Sequence, residues 1–373
     1  MTLIGPVFPY RGAISLSTVE LGRQLRGHTD LSLVSFSRQF PKRFYPGGND
    51  IDETVRHLAP EDARYSLDVL NPFTWIREGL RLRRVPPDVL IIVWWVWIWA
   101  IPYLTICLFL RRSTRVIVQC HNIGDKEPKR WKSFLANRVL ARADTLVVHS
   151  AKSVEEVRER LGERTAKATV QLFLPVLAIG TDIPSTDDAR RVLGIEASRV
   201  ALFFGNIRPF KGLDLALKAW KAVSADVLLL VVGEIWFGDE ARYQRIVDEE
   251  GIAGRVRFET RYIPDAEVAN WFAASDVIIA PYRYENQSGV AMSAFYFGKP
   301  VIATAVGGLP DIINDGVNGI LIAPEDPAAL AAAVDRYFEN ADRRALALGA
   351  RASAQKYSWD RYGSVLLGII EEA

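Results

Sequence analysis

The residues best placed to do chemistry follow an apolar stretch, Asp276–Ala280, that predicts a buried strand. A carboxylate, Glu285, comes soon after it, and a helix is predicted to begin at the backbone amides of Gln287, Ser288, Gly289 and Val290. Helix N-termini attract phosphate and other anions, and ligands of open α/β sheets bind outside the carboxyl ends of the strands. The segment therefore predicts a site for a ligand with both a diphosphate and hydroxyl groups, such as a nucleotide sugar.

A second loop with suitable chemistry, Gly205–Gly212, lies between a predicted strand and a predicted helix. Its glycines let the backbone approach a ligand closely, and Arg208 and Lys211 supply two positive charges. A leaving nucleoside diphosphate gains negative charge as the glycosidic bond breaks, and fixed cations stabilise that charge. Because the sequence has no evident paired-Asp motif for a divalent metal, we expect these cations to act in its place. The alternative is a solvated loop with two surface cations.

Together these segments resemble the retaining GT-B glycosyltransferases of the family 4 type, the glycosyl transferases group 1. Their pattern is a Glu, seven residues, a second Glu, then a Gly and a Pro. Glu285, Gly298 and Pro300 match it, whereas Ser293 stands at the second Glu. The resemblance implies that Glu285 contacts hydroxyls of the transferred sugar and that position 293 lies at the ribose. A Ser can bind a hydroxyl there, but without the charge assistance of a carboxylate.

The resemblance assigns roles to two more loops of the C-terminal half. Lys211 matches the family's diphosphate-binding Lys, while Asn206 occupies the usual Arg position and Arg208 follows two residues later. Tyr262 and Ile263 match the loop that grips the nucleobase. These residues and Gly205 complete the donor site that the family implies, with a UDP- or GDP-linked sugar as donor and no cofactor.

In the N-terminal half the resemblance is looser but covers two loops. His121 ends a predicted strand and matches the His of the family's His-Asn element, which lies near the donor sugar; a purely structural histidine is the alternative. Gly12 matches the glycine-rich first loop, although Ala13 replaces the usual second glycine. The family generally binds the acceptor with this half of the chain, which implies a glycan or lipid-linked acceptor site there.

The resemblance implies transfer with retention of configuration. The sequence has no well-placed pair of carboxylates of the kind used by a double-displacement glycosidase. Glu285 without an obvious partner fits substitution on the face that the nucleotide leaves. Two alternatives remain: a GT-B enzyme that isomerises a sugar nucleotide, and a catalytically weak binding or partner subunit, which Ser293 and the shifted Arg208 would suit.

The length and the order of elements predict two α/β domains. The chain has 373 residues, too many for one ordinary core. Apolar strands alternate with helical stretches, which predicts parallel sheets. With the resemblance, we expect a GT-B fold of two Rossmann-like domains facing across a deep cleft. The boundaries are 1–180 for the acceptor domain, with a returning helix over 358–373, and 181–357 for the donor domain, with a linker near 179–188.

Composition excludes several classes of protein. The net charge of +2 gives no sign of nucleic-acid binding. Two cysteines exclude a disulfide framework, and the four histidines are scattered without metal-site spacing, so no metal site is predicted. The first residues lack the basic and apolar regions of a signal peptide. We therefore expect a cytoplasmic protein.

A run of 22 residues, Val89–Leu110, has no charged residue and is long enough to cross a bilayer. The alternative is a buried parallel strand, a turn and a buried helix, because strands covered on both faces read as continuous apolar runs. A spanning helix would interrupt the α/β pattern. We therefore favour the strand and helix of a packed core.

The segment 70–142 is strongly basic, with 13 Lys and Arg against 4 Asp and Glu, while the whole chain has a net charge of +2. Such an asymmetry suits anionic lipid head groups, with tryptophans as interfacial anchors. The hypothesis is a peripheral enzyme at the cytosolic face of a membrane, and the alternative is a solvated basic face. The residues are Arg77, Arg81, Arg83, Arg84, Lys126, Lys129, Arg130 and Lys132, with Trp97, Trp99 and Trp131.

Overall fold

The chain folds into two compact units. The computed structural model describes residues 1–41, 45, 49–124, 130–177, 182–236, 240–339 and 342–371. The first unit contains Met1–Pro175 and Trp359–Ala373, and the second contains Val176–Ser358. Each unit is built around its own parallel sheet, so each half has a separate core.

The first unit contains a parallel sheet whose strands are β1 (Thr2–Ile4), β2 (Ser32–Arg38), β3 (Arg64–Asp68), β4 (Val89–Trp94), β5 (Arg115–Cys120), β6 (Thr145–Val148) and β7 (Thr169–Gln171). Their order is β3-β2-β1-β4-β5-β6-β7. The chain therefore starts in the middle, runs to one edge and then crosses to the other side of β1. Such a change of direction creates a crevice at the carboxyl ends of the central strands.

The second unit repeats this arrangement with strands β8 (Arg199–Phe204), β9 (Val227–Val232), β10 (Val256–Glu259), β11 (Val277–Ala280), β12 (Val301–Thr304) and β13 (Gly319–Ile322). Their order is β10-β9-β8-β11-β12-β13. The central strand β8 lies between β9 and β11, so the loops after β8, β9 and β11 leave the same edge of the sheet. These are the loops that carry the predicted donor site.

Helices cover the sheets on both faces. They are α1 (Ala13–Arg26), α2 (Pro72–Arg84), α3 (Ala100–Leu108), α4 (Arg130–Leu140), α5 (Ala151–Leu161), α6 (Glu163–Lys167), α7 (Thr186–Leu193), α8 (Leu213–Trp220), α9 (Glu240–Glu249), α10 (Asp265–Ala274), α11 (Gly289–Tyr296), α12 (Leu309–Ile312), α13 (Pro327–Glu339), α14 (Arg343–Lys356) and α15 (Trp359–Glu371). The predicted α/β class with two Rossmann-like parallel sheets is confirmed.

The last helix, α15, belongs to the first unit, as predicted. It packs beside α1, where the Gln24 side-chain amide donates a hydrogen bond to Asp360 at 2.9 Å. The Arg115 guanidinium donates to the carbonyl oxygens of Ile369 and Ile370. The C-terminal residues therefore cover the face of the sheet that α1 also covers.

The apolar run that could have crossed a membrane forms part of this core. Residues Val89–Trp94 are β4, and Ala100–Leu108 are α3. The Trp99 ring is fully buried, with its centroid 4.0 Å from that of Phe36, and its indole N–H donates to the Gln39 carbonyl oxygen. The predicted strand and helix are confirmed, and the spanning-helix alternative is wrong for this segment. Among the described residues, no helix is long and apolar enough to span a membrane.

Six elements, β3, α6, α7, α10, α12 and β13, were not predicted, and the linker was placed incorrectly in part. The strand β3, Arg-Tyr-Ser-Leu-Asp, is a short edge strand with one buried side chain, so it lacks an apolar run. α10 and β13 are also absent from the sequence-based prediction. The last residues of the predicted linker 179–188 already belong to α7. Ser185 is the N-cap residue of this helix, and its side chain accepts a hydrogen bond from the Asp188 N–H. Residues 178–181 lie outside the described part.

We predict that Trp99→Ala lowers the free energy of unfolding of the first unit by about 3–5 kcal/mol, the usual cost of truncating a buried aromatic residue. Leu108→Ala, on the same segment but 82% exposed, should change it by less than about 0.5 kcal/mol. Urea denaturation followed by circular dichroism measures both. Equal effects of the two substitutions would contradict the core position of Trp99.

Candidate functional site

The loop after β8 returns along the edge of the second sheet and starts α8. The Gly205 N–H donates to the Val232 carbonyl oxygen at 3.0 Å, and a short 3-10 turn, Pro209–Lys211, follows. Gly212 has φ +70°, and a Cβ there would lie 2.1 Å from the Pro281 carbonyl oxygen. A side chain at this position would therefore force the loop away from the end of β11.

Lys211 lies where this loop meets the start of α11. A Cβ added at Gly205 would be 3.3 Å from the Lys211 Nζ and 3.4 Å from the Val290 side chain. The same Nζ lies 5.2 Å from the centroid of the buried Tyr282 ring. Burial raises the pKa of Tyr282, and the negative charge of Glu285 raises it further. Gly205, Lys211 and Val290, three of the predicted donor-site residues, thus lie close together at one edge of the sheet, with the Tyr282 ring beside Lys211.

Arg208 is held by the neighbouring loop, which follows β9. Its guanidinium carbon lies 4.6 Å from the centroid of the Trp236 ring, within the range of a cation–π interaction. The Trp236 indole N–H donates to Glu234 at 2.6 Å. The backbone of Ile207 joins the two loops, because its N–H donates to the Glu234 carbonyl oxygen and its carbonyl oxygen accepts from the Trp236 N–H.

The backbone of Glu285 is fixed by the loop between β12 and α12. The Gly308 N–H donates to the Glu285 carbonyl oxygen at 3.0 Å. Gly307 has φ +55°, and a Cβ there would lie 1.6 Å from that same oxygen. The Thr304 hydroxyl donates to the Tyr282 carbonyl oxygen. Glycines 307 and 308, which the sequence places at the end of β12, therefore set the position of Glu285.

The helix α11 begins where the sequence predicts an anion site. Ser288 is its N-cap residue, and its buried hydroxyl oxygen accepts a hydrogen bond from the Ala291 N–H at 3.2 Å. Gln287 precedes the cap, and Gly289 and Val290 form the first turn, partly exposed. The backbone N–H groups of a first turn carry partial positive charge, so this end of α11 favours an anion beside Lys211.

Ser293, one turn further along α11, has a partner within its own unit. Its hydroxyl donates to the Leu177 carbonyl oxygen at 2.9 Å and so ties the start of the second unit to α11. A glutamate at this position could not donate that hydrogen bond, since a carboxylate only accepts. The substitution of Ser for the family's second Glu therefore has a structural role in this chain. The predicted ribose contact stays a prediction.

Arg283 joins the two loops of the site. Its guanidinium donates two hydrogen bonds to Asp214, at 2.7 and 2.9 Å, and one to the Pro209 carbonyl oxygen, and it forms an ion pair with Glu325 at 2.6 Å. Burial alone would raise the pKa of Asp214, but the hydrogen bonds and charge of Arg283 outweigh it and lower that pKa. The sequence analysis missed this network. The only signal for Arg283 in the sequence was that it follows the strand β11.

The loop after β10 offers mainly backbone to a ligand. Ile263 is buried, so its side chain packs inside the unit, and Tyr262 is partly buried. The Arg261 guanidinium forms ion pairs with Glu259 and Glu267, each at 2.6 Å, and donates to the Tyr262 carbonyl oxygen. These contacts connect Arg261 to β10 and α10. The predicted nucleobase contact of Tyr262 and Ile263 stays a prediction.

In the first unit, His121 lies beside a second histidine that the sequence did not single out. His121 follows β5 and His149 follows β6, and the register pairs Gln119 with Val147, two residues before each. The two rings lie 5.2 Å apart, and the Nδ1 of His149 lies 3.2 Å from the Phe173 carbonyl oxygen. The signal available in the sequence was that both histidines end adjacent parallel strands.

Burial keeps this histidine pair neutral. It lowers the pKa of His121 well below 6.5, with a further contribution from His149, and it lowers the pKa of His149 to about 4. Removing a charged imidazolium from water is costly. At neutral pH, His121 therefore acts as a hydrogen-bonding group and not as a cation.

Other parts of the first unit also face the carboxyl edge of its sheet. Gly12 is the N-cap residue of α1, and its carbonyl oxygen accepts from the N–H groups of Ser15 and Leu16. Two cavities of about 290 and 400 Å³ lie beyond β1–β3 and share the lining residues Tyr10, Ser37 and Ile51. Within the described ranges, no group of three or more His, Cys, Asp or Glu side chains is arranged to hold a metal ion.

The two Rossmann-like parallel sheets define a two-domain α/β protein. The family model described as Glycosyl transferase 4-like domain matches residues 13–171, and the one described as Glycosyl transferases group 1 matches residues 198–340. The chain therefore belongs to the group 1 glycosyl transferases of family 4, as the sequence predicted.

The chain is also similar to individual proteins. A protein of Thermomonospora curvata named D-inositol 3-phosphate glycosyltransferase is 36% identical over 265 residues, which are 66% of this chain and 61% of that relative. The chain therefore spans about three fifths of the length of this curated relative.

Solved structures share the fold over the whole chain. Sucrose-phosphate synthase from Thermosynechococcus elongatus has a TM-score of 0.74 and 20% identity, covering 100% of this chain and 98% of that one. HepE of Anabaena, solved with UDP and also with UDP-glucose, has a TM-score of 0.75 and 18% identity in the UDP complex, with 100% of both chains covered. At these identities the likeness establishes the fold alone, and it confirms the predicted GT-B class.

The neutral histidine pair predicts an acid-sensitive first unit. The folded-state pKa of His149 is about 4, against 6.5 for the unperturbed group, so the unfolded chain binds a proton first as the pH falls. The free energy of unfolding should therefore decrease between about pH 6.5 and 4, by on the order of 3 kcal/mol from His149. His149→Gln should flatten this decrease, whereas His28→Gln, at an exposed site, should not. Urea titrations across this pH range measure the free energy of unfolding. The prediction would be contradicted if this free energy fell equally steeply with decreasing pH in both variants.

Proposed function

We propose that this protein is a glycosyltransferase that moves a sugar from a nucleotide diphospho-sugar to an acceptor hydroxyl. The observation that carries the proposal is the convergence of Lys211, the start of α11 and the Glu285 loop at one edge of the second sheet. A cation beside a helix N-terminus suits a diphosphate, and a carboxylate four residues before the start of that helix suits sugar hydroxyls.

The donor is a UDP- or GDP-linked sugar, and UDP is the first candidate. HepE, which shares the fold over its whole length, was solved with UDP and with UDP-glucose. The partly buried Tyr262, whose carbonyl oxygen accepts a hydrogen bond from Arg261, suits a planar base. We assign residues 181–357 to donor binding, and residues 1–180 with the returning helix 358–373 to acceptor binding.

The reaction proceeds without a metal ion. As the bond between the sugar C1 and the diphosphate oxygen breaks, negative charge develops on the leaving diphosphate. Lys211 and Arg208, held on the faces of Tyr282 and Trp236, stabilise that charge together with the amides of Gly289 and Val290. Fixed cations of this kind cost no reorganisation during the reaction, which is why they can replace a metal.

The transferred sugar keeps its configuration. The acceptor oxygen forms its bond to C1 on the face that the diphosphate leaves, and the acceptor proton passes to a diphosphate oxygen. Glu285 accepts hydrogen bonds from the sugar hydroxyls and so orients the ring. His121 contributes a neutral hydrogen bond to the donor sugar, in line with its lowered pKa.

The acceptor is a glycan or a lipid-linked glycan bound by the first unit. The cavities lined by Tyr10, Ser37 and Ile51 support a site at the carboxyl ends of β1–β3. The relative from Thermomonospora curvata is named for an inositol phosphate acceptor, so a small polyol phosphate is a second candidate. The basic segment 70–142 supports work at the cytosolic face of an anionic membrane.

The central experiment separates binding from turnover. Lys211→Met should weaken UDP binding about 10- to 100-fold, because a hydrogen bond to a charged group contributes roughly 1.5–3 kcal/mol. Glu285→Gln should leave UDP affinity within about twofold but lower the turnover of UDP-glucose by on the order of 100-fold. Isothermal titration calorimetry and release of UDP measure the two effects.

Lys218→Met is the matched control, since Lys218 is exposed on the adjacent helix α8. It should bind UDP as the wild type does. If the wild-type protein binds neither UDP nor GDP, the transferase proposal fails. The wild type could instead bind UDP but release no UDP from any UDP-sugar, with the Glu285→Gln variant giving the same result as the wild type. A non-catalytic partner subunit then becomes the better explanation.

Retention of configuration has its own test. The anomeric proton of the newly formed bond should show, by NMR spectroscopy, the same α or β configuration as the donor sugar, and the result should not change when Mg²⁺ is removed with a chelator. A product with the opposite configuration would contradict front-face substitution, and loss of activity on chelation would contradict metal independence.

A further inference from the structure

Three helices of the first unit lie side by side on one face of its sheet and form a continuous outer layer. Helix α3 packs against α2 on one side and α4 on the other. The contact between α2 and α3 is tight, because a Cβ added at Gly79 would lie 2.5 Å from the Phe109 ring. The Arg111 side chain also donates to the Arg83 carbonyl oxygen at 3.1 Å. We call the outward side of α2, α3 and α4 the three-helix face.

The outward side of α2 is apolar and cationic at once. Phe73, Ile76 and Leu80 are exposed, and their spacing of three and four residues places them on one side of the helix. Phe73 is 80% exposed. Arg77 and Arg84 share that side and are exposed as well. A helix that covers only its own core would present polar residues there.

The other two helices continue the same pattern. Ile101 and Leu108 are exposed on α3, seven residues apart and so on one side of it, and Leu108 is 82% exposed. Trp131 and Phe134 are exposed on the first turns of α4. The Arg138 guanidinium lies 4.9 Å from the Phe134 ring centroid. Of the seventeen exposed large apolar side chains among the described residues, nine fall within residues 70–142, a fifth of the chain.

The charge on this face is almost entirely positive. Helices α2, α3 and α4 together contain seven Lys and Arg against one acid. That acid, Glu78, is buried and paired with Arg64 and Arg81, so it does not offset the outward cations. Clustered apolar exposure with a rim of cations marks an interaction surface, and the sign of the charge says that its partner is anionic.

We infer that the three-helix face docks on the surface of an anionic lipid bilayer, with its apolar side chains below the level of the head groups. Aromatic and aliphatic residues flanked by arginines have the composition of interfacial membrane-binding helices. A second copy of this chain is a poor partner, because a symmetric contact would bring two like-charged faces together. This inference rests on the proposed function and deepens it. If the protein is a glycosyltransferase, docking on a membrane brings it to an acceptor that the membrane carries.

Two forces of different range follow from this composition. The cations attract an anionic bilayer at a distance, each by roughly a factor of five in partitioning, and salt screens this attraction. The apolar side chains act only after contact, and salt does not screen them. A merely solvated basic face would show the first force and not the second.

The test is flotation of the full-length protein with vesicles of phosphatidylcholine and phosphatidylglycerol, and with vesicles of phosphatidylcholine alone. Wild type should float with the mixed vesicles and retain part of that binding at high salt. Phe73→Ser with Leu108→Ser should lower partitioning about tenfold or more at both salt concentrations. Arg83→Gln with Arg84→Gln should lower it about 25-fold at low salt and little at high salt.

Matched controls lie on the second unit. Val192→Ser with Leu348→Ser removes two exposed apolar side chains, and Arg343→Gln with Arg344→Gln removes two exposed cations. Both should float as the wild type does. The inference is overturned if wild type fails to float with the mixed vesicles, if the face variants behave as their controls, or if only the arginine pair matters.

Two further measurements keep the outcomes distinct. UDP affinity should be unchanged in every face variant. A failure of membrane docking would therefore leave the transferase proposal intact. Conversely, a wild-type protein that does not bind UDP would leave the flotation result valid. Sedimentation equilibrium measures self-association without vesicles. If Phe73→Ser with Leu108→Ser converts a dimer to a monomer, the face is an interface between copies of this chain and the membrane inference is wrong.

Discussion

At the carboxyl edge of the second sheet, loop backbones contact each other directly, and only glycine fits between them. A Cβ at Gly212 would lie 2.1 Å from the Pro281 carbonyl oxygen, and one at Gly307 would lie 1.6 Å from that of Glu285. Lys211 precedes the first contact, and Glu285 makes the second. The positions of both side chains therefore depend on backbone contacts between loops, which are stiffer than contacts between side chains.

The cations at this edge fall into two groups with different partners. Arg283 is engaged by Asp214 and Glu325, so it holds the loops together. Lys211 and Arg208 lie over aromatic rings. A ring attracts a cation through its face. Arg283 therefore positions the loops, while the proposed diphosphate contact is assigned to Lys211 and Arg208.

At the carboxyl edge of its sheet, the first unit places buried, neutral histidines, whereas the second unit places cations. His121 and His149 lie together at the edge of their sheet, and desolvation lowers both pKa values. A neutral imidazole can accept or donate one hydrogen bond without adding charge beside a sugar. The same unit has exposed cations such as Arg77 and Arg84 on the outward side of α2, away from its core.

Local patterns in the sequence were sufficient for most strands of the two sheets and for the two strand-end loops that carry Lys211 and Glu285, because a continuous apolar run followed by glycines indicates a buried strand and the turn after it. They failed for β3, whose five residues carry little apolar signal, and for α10 and β13. Only the tertiary structure paired Arg283 with Asp214 and Glu325, placed His149 beside His121, and gathered the apolar residues of three separate helices on one face. These contacts join residues far apart in the chain, and the free energy that selects them comes from packing of whole elements, which no local pattern contains.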